Sequence, residues 1–436
     1  MIASKLTFKR DQGMQLKTIL NQVESYKGFV FGKASICKTY QNTEFSSPSI
    51  VVEISARKNS KPYCSGCGHK GPGYDRLDTR LFDYLPILGF AVYFAYRRRR
   101  VDCDDCGVKA ELLPWANGNN QLTLSLSWYL ADWAKLLSWK EVSVRFKVSW
   151  DSVCRSVQMA VDWGLAHRCI EGIKSIGVDE ISRAKGHKYL TLVYQIDKDN
   201  RRLLWIGNDR TGKTFQGFFD WFGSKKTAAL EAICSDMWKA YLKVIKERAP
   251  QALHVLDRFH IVAHLNKAID KVRAEEHRRM LKDGFEPILF KSRWLLLKRR
   301  ENLDSEQSVS LKNLLKYNLR TMRAYLLKED FQQFWIYTSP AWASKFLSNW
   351  CTRAMRSKLE PVKKVAKMLR KHEPLILNWF KAKGELSSGI VEGFNTKAKL
   401  TTRKSYGFKN PELQKTALYH ALGDLPVPEW THRFCG

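Results

Sequence analysis

Three acidic residues stand where a hard divalent cation could be held: Asp179 in "IGVDEISRAKGHKYLTLVYQID", Asp236 in "LEAICSDMWKAYLKVI" and Glu392 in "GELSSGIVEGFNTKAK". Each aspartate ends an apolar run that reads as a strand, so both are expected at strand C-termini and would meet if the strands lie side by side. Taken singly, an acid at such a place also suits a plain turn. Glu392 falls in a helical stretch, with Ser388, Asn395 and Lys399 at helical spacing. Two aspartates on strands and a glutamate on a later helix supply the oxygen ligands that two Mg²⁺ or Mn²⁺ ions need for in-line displacement at phosphorus. Glu180, beside Asp179, should face the other side of its strand and is not counted as a ligand. Asp257 and His260 in "LDRFHI" either flank this site or close a strand and cap a helix.

A second chemistry is written in cysteine. "YCSGCGHKG" carries Cys64 and Cys67, and "VDCDDCGVK" carries Cys103 and Cys106. Two residues separate the thiols in each pair and a glycine follows the second, which lets the backbone turn both sulfurs onto one tetrahedral Zn²⁺. His69, just past the first pair, is a weaker substitute ligand. The chain opens without a secretory apolar region, so a disulfide framework is not expected and a cytoplasmic location is. The 35 residues between the pairs exceed the usual spacing, and "FDYLPILGFAVYFAYRRRR" within them reads as a strand-rich hairpin unit. Arg97, Arg98, Arg99 and Arg100 precede the second pair, where zinc would hold four guanidinium groups on a rigid platform for phosphate contact.

The elements that carry these groups follow from periodicity. "SWKEVSVRFKVSWDSVCRSVQMAV" predicts a helix from about Ser138 to Phe146, a turn at Val148 and Ser149, and a second helix, which is helix-turn-helix spacing. Val142, Val144, Phe146, Val153, Val157 and Val161 are its expected apolar seam; Trp150, Asp151, Ser152 and Arg155 are its expected DNA face. From 275 to 383 the pattern is strongly helical, and Trp294, Trp335, Trp342, Trp350 and Trp379 there are expected chiefly as core residues. Arg403 and Tyr406 in "TTRKSYGF" are candidates for contact with the DNA backbone.

Charge names the partner class. The chain has 74 Lys and Arg against 43 Asp and Glu, a formal charge of +31 spread along its length. Double-stranded DNA relieves such self-repulsion, because neutralised phosphates release condensed counterions. A membrane span is not expected, since no apolar run approaches the roughly 18–20 residues required.

"GVDEISRAKGHKYLT", "SDMWKAY", "DRFHIVAHLNKAIDKVR" and "SSGIVEGFNTKAK", in that order behind the paired cysteines, resemble the transposases of the insertion-sequence L-three family from about residue 50 onward. The resemblance implies an α/β protein: a ribonuclease H-like catalytic core interrupted by a helical insertion, preceded by a zinc-binding domain and a helix-turn-helix that reads terminal inverted repeats. It puts Asp179, Asp236 and Glu392 on the family's acidic triad. The implied divisions are 1–49, of unknown role; 50–117, zinc-binding; 118–170, helix-turn-helix; 171–274, first part of the core; 275–383, the insertion; and 384–436, the rest of the core. DNA cleavage and strand transfer by a synaptic homo-oligomer, as a dimer, are the implied activity. The alternative is a zinc and helix-turn-helix regulator with an inactive core.

Overall fold

The computed structural model describes residues 16–433 apart from 185, 187, 318, 383–388 and 406, so Ser388 and Tyr406 lie outside the described residues. The chain divides into two compact units, one formed by residues 1–168 with 425–436 and the other by residues 169–424.

In the first unit, helix α1 (Leu16–Val23) leads into strands β1 (Phe29–Tyr40), β2 (Thr43–Ala56), β3 (Gly73–Ile87), β4 (Phe90–Cys103) and β5 (Gly107–Ala110). The strands pair in the order β1-β2-β4-β3, with β5 on β4. The sheet therefore begins at Phe29, and a boundary at residue 50 would cut through β2. β3 and β4 form the hairpin expected between the cysteine pairs. Leu88 and Gly89 both have left-handed φ at its tip, 50° and 84°, the two-residue turn whose twist matches that of the strands. Buried Trp115 receives the ring edges of Phe29, Phe82 and Tyr96 and forms the centre of this unit's core.

Three helices follow: α2 (Leu124–Leu136), α3 (Trp139–Phe146) and α4 (Trp150–His167). Ser138 and Glu141 close a reciprocal capping box at the start of α3, and Ser149 caps α4 through the Ser152 N–H. Lys147 ends α3 in the left-handed conformation at φ 55°, so the chain turns within three residues. Val142, Val153, Val157 and Val161 are buried as expected, and Phe146 is half-buried against Tyr129 and Trp133. Val144 departs from the expected seam. It lies about 200° around the helix from Val142 and is 65% exposed. Later in the chain, the Leu425 side chain fills the space beside Gly164, and Trp430 meets Trp128 edge-on.

The second unit is built on β6 (Ser175–Ala184), β7 (Lys188–Ile196), β8 (Arg201–Asn208), β9 (Ala232–Ser235) and β10 (Leu253–Leu256), in the order β10-β9-β6-β7-β8. β6, β7 and β8 run antiparallel to one another, whereas β9 and β10 are parallel to β6. Helices α5 (Gly212–Phe222), α6 (Ser224–Ala228) and α7 (Lys239–Arg248) follow β8 and β9. α5 and α7 cover one face, where Phe215, Phe218, Phe222 and Tyr241 pack on Ile176, Val178 and Val193. After β10 the chain is helical through α8 (Arg258–Lys282), α9 (Arg293–Leu297), α10 (Ser305–Leu315), α11 (Arg320–Gln332), α12 (Pro340–Arg356) and α13 (Glu360–Lys381). α14 (Gly389–Lys404) and α15 (Pro411–Leu422) then cover the other face, with Val391, Ala398 and Leu418 on Ile181, Leu192 and Tyr194.

The helices between β10 and α14 have their own core around Phe331, Phe334 and Trp350. α13 also packs on β10, and Asn378 donates from its amide nitrogen to the His254 carbonyl at 2.8 Å, so helix covers this sheet edge. Trp335 and Trp379 are partly buried against this core. Trp294 and Trp342 are not core residues; they are 64% and 60% exposed, with Arg293 and Lys345 respectively over their rings. Among the described residues no helix is long and apolar enough to cross a membrane.

Candidate active site

Asp179 lies inside β6 and not at its end, since β6 continues to Ala184 and pairs with β7 on both sides of the aspartate. What ends beside Asp179 is its parallel neighbour. β9 bonds to β6 only through Ser175–Gly177 and stops at Ser235, so Asp236 emerges next to the exposed flank of β6. An extended hairpin against a short parallel strand thus brings the two aspartates to one end of the sheet. β10 stops at Leu256, and Asp257 follows it as the cap of α8, accepting from the Phe259 N–H at 2.6 Å.

Strand alternation sends Gly177, Asp179 and Ile181 toward α14 and Ile176, Val178 and Glu180 toward α5 and α7. Gly177 carries no Cβ because Val391 occupies that space, and Glu392 is the next residue on α14. One turn later, Asn395 donates to an Asp179 carboxylate oxygen through its amide nitrogen while its oxygen accepts from Tyr194 Oη at 3.1 Å. Asp179, Glu392, Asn395 and Lys399 line one cleft of about 430 Å³ with Glu180, Asp257, His260 and Asn266. Asp179 and Asp236 are buried, whereas Glu392 is exposed on the cleft wall.

The electrostatics are those of crowded acids. Burial, ahead of the charge of Asp179, holds the Asp236 carboxyl above the usual range, against the pull of the Trp238 N–H that bonds its Oδ1 at 2.9 Å. Burial and the charges of Asp236 and Asp179 push Glu180 up to about 7. His260 Nε2 lies 3.9 Å from an oxygen of Asp179 and 3.9 Å from one of Asp257. Its interaction with Asp179, reinforced by the neighbouring acids and opposed by desolvation, pushes His260 up to about 9.

Asp179, Asp236 and Glu392 do not close onto a single point: among the described residues, the sets with three candidate ligand atoms mutually within 4.8 Å are cysteine-based. Their carboxylate oxygens, with His260 beside Asp179 and Arg210 beside Asp236, still fit hard divalent cations in chemistry. Arg210 had no place in the sequence reading. Its Nε is 3.0 Å from Glu180 and its Nη2 3.5 Å from Asp236. It lies two residues past the end of β8, and a basic residue near a strand end, beside acidic strand ends, was the available signal.

The second candidate centre is in the first unit. Cys64, Cys67, Cys103 and Cys106 place their sulfurs mutually within 4.8 Å. Gly68 and Gly107 have left-handed φ of 78° and 66°, so each pair turns at the glycine after its second cysteine. The Cys67 and Gly66 N–H groups draw the Cys64 thiol down to about 7. Donor identity and closeness fit Zn²⁺. His69 lies outside the four-sulfur set, with Nδ1 3.2 Å from Asp105.

The expected DNA contacts separate. Arg98 is buried and donates to the Glu111 carbonyl at 2.9 and 2.6 Å; Arg99 pairs with the Glu111 carboxylate at 2.9 Å; Arg100 pairs with Asp75. Arg97 is exposed, with Nε 3.2 Å from the Leu77 carbonyl. The four side chains do not share one surface: a strand places its residues alternately, and Glu111 and Asp75 engage three of the four. Trp150 is partly exposed and 5.8 Å from Trp139, Ser152 shares the cap of α4, and Arg155 and Arg403 are exposed.

A family profile described as "Transposase" matches residues 176–418. The transposase for insertion sequence element IS1001 of Bordetella parapertussis is 30% identical over 359 residues, 80% of this chain and 86% of that protein. The transposase for insertion sequence element IS1557 of Mycobacterium tuberculosis, in strains CDC 1551 / Oshkosh and H37Rv alike, is 27% identical over 410 residues, 88% of this chain and 91% of that protein.

Proposed function

Since the chain belongs to the insertion-sequence L-three family of transposases, we propose that it binds the terminal inverted repeats of its element and cuts and joins DNA there by metal-dependent phosphodiester chemistry. The carrying observation is that Asp179 on β6 and Glu392 on α14 line one cleft while Asp236 leaves β9 beside them. Three antiparallel strands continued by two parallel ones, with helices on both faces, support a ribonuclease H-like core.

Asp179, Asp236 and Glu392 would hold two Mg²⁺ or Mn²⁺ ions, which supply an activated water or 3′-hydroxyl and charge for the leaving oxygen. The protein's own part is orientation. Asn395 fixes one oxygen of Asp179, the Trp238 N–H fixes one oxygen of Asp236, and Lys399, two turns along α14 from Glu392, brings positive charge to the cleft. Cys64, Cys67, Cys103 and Cys106 would hold one structural Zn²⁺ that locks β4 to the loop before β3. The α3–α4 pair supports a helix-turn-helix reading, with the start of α4 toward the inverted repeat through Trp150, Ser152 and Arg155. Arg97 and Arg403 add backbone contact, and a dimer in the cytoplasm brings two ends together.

Incubation of the full chain with labelled element ends and Mg²⁺, mapping the cut strand and position, tests this reading. Asp179→Asn, Asp236→Asn and Glu392→Gln should each lower cleavage by several orders of magnitude and keep end binding. Tight end binding by the unmodified chain with no cleavage in Mg²⁺ or Mn²⁺ would favour the regulator instead.

A further inference from the structure

Arg210 stands between two acids and two rings. Its guanidinium carbon lies 4.4 Å from the centre of the Trp238 ring and 5.8 Å from that of Tyr189, with Glu180 and Asp236 at its nitrogens. The backbone on either side is fixed. Asp209, at φ 66°, donates its N–H to the Tyr189 carbonyl at 3.1 Å and accepts from Thr191 Oγ1 at 2.7 Å; Thr211 caps α5. The guanidinium is held by charge and by the two rings, with Glu180 at Nε and Asp236 at Nη2, and Nε makes no hydrogen bond among the described residues.

We propose that Arg210 is a positioning residue for the reaction, aiming Asp236 into the cleft and keeping Glu180 from acting as a competing cation ligand. The inference rests on the transposase reading above. The Trp238 N–H holds Oδ1 of Asp236, and Arg210 faces Oδ2, so the carboxylate plane is set from two directions. Glu180 reaches the cleft that Asp179 and Glu392 line, and its Oε2 is buried without a hydrogen-bond partner among the described residues. Freed of Arg210, it would be a further hard oxygen donor next to Asp179 and would draw a cation away from the reacting geometry.

Cleavage of labelled element ends by the full chain, titrated with Mg²⁺ alone, tests this alongside end affinity and thermal unfolding. Arg210→Gln should cut about 100-fold more slowly at saturating Mg²⁺, the cost of a misplacement near 1 Å. Its half-saturating Mg²⁺ should shift several-fold while end affinity stays the same. Arg210→Lys keeps the charge without the fork and should recover less than about a tenth of the lost rate. The Glu180→Gln, Arg210→Gln pair removes the competitor with its partner; it should restore the Mg²⁺ half-saturation and cut at least about tenfold faster than Arg210→Gln alone.

Arg210→Gln cutting within threefold of the unmodified chain overturns the proposal, and so does a paired variant no better than the single one. If Arg210→Gln does not fold, Arg210→Lys and the paired variant carry the same comparison with the unmodified chain. Asp179→Asn separates the two levels. An unmodified chain that cuts where Asp179→Asn does not keeps the transposase reading whatever Arg210 does, whereas an unmodified chain that never cuts removes both.

Discussion

A Cβ placed on Gly177 would lie 2.5 Å from Cγ2 of Val391. The contact is between β6 and the first turn of α14. It sets how far Glu392 stands from Asp179, because Val391 and Glu392 are consecutive and Gly177 and Asp179 share one face of β6.

Gly177→Ala should therefore push α14 outward. Overpacking of this kind costs about 1–3 kcal/mol, and cleavage should fall about 10- to 100-fold through displacement of Glu392. Binding of element ends should hold, and Val391→Ala in the same chain should recover much of the rate by returning the volume. Cleavage rates with urea unfolding check this; a normal rate in Gly177→Ala would show that the Glu392 position tolerates the shift.

One zinc per chain is expected in metal analysis of the purified protein. Cys103→Ser should lower zinc content and terminal-repeat binding together, since β4 and the loop before β3 share the four sulfurs. Full zinc retention in that variant would return the fourth ligand to another group, with His69 first in line.

Affinity for DNA should fall steeply with salt, as expected for a chain of charge +31. Arg155→Ala should weaken binding and lower the slope of log affinity against log salt by about 1. Arg99→Ala should leave that slope alone and instead destabilise the first unit, because it strips the buried Glu111 carboxylate of its ion pair. A salt slope that drops for Arg99→Ala and not for Arg155→Ala would reverse this assignment.

His254 gives the second unit an acid-sensitive joint. Its Nε2 is 2.7 Å from Ser235 Oγ, and burial pulls its pKa from 6.5 down to about 4. The depressed value means that the folded state favours the neutral ring. The associated stability is present above about pH 6.5 and is lost as pH falls toward 4, by up to about 3 kcal/mol. Urea unfolding at pH 7.5 and pH 5 should show a larger acid loss for the unmodified chain than for His254→Gln; equal losses would place the sensitivity elsewhere.

Local signals were the legible ones. Ser138 and Ser149 marked the helix starts, the glycines after Cys67 and Cys106 marked the turns, and the hairpin between the cysteine pairs followed from its strand-like run. Asp179 was misplaced at a strand end because an apolar run followed by acids looks the same whether the strand stops or only its neighbour does. The internal partners of the arginine run are hidden in the sequence for a related reason. Glu111 and Asp75, which engage it, come from other strands or loops, and only the sheet register brings them near. Val144 is a smaller case, in which a hydrophobic type outweighed the angle of its position. Arg210 left only the weak signal of a base near a strand end, because its meaning comes from Glu180 and Asp236, each on a different strand or strand end.

Leu425 and Trp430 pack on Gly164 and Trp128, within the unit whose other residues precede 169. A ribosome makes the chain from its N-terminus, so the α2–α4 bundle emerges early and must wait through residues 169–424 for Leu425 and Trp430. The sheet of the second unit is therefore complete in the nascent chain before the α2–α4 bundle has its full packing. Premature termination just short of residue 425 would leave the acids intact and the bundle open beside Gly164, so synthesis itself couples the finishing of the first unit to that of the second.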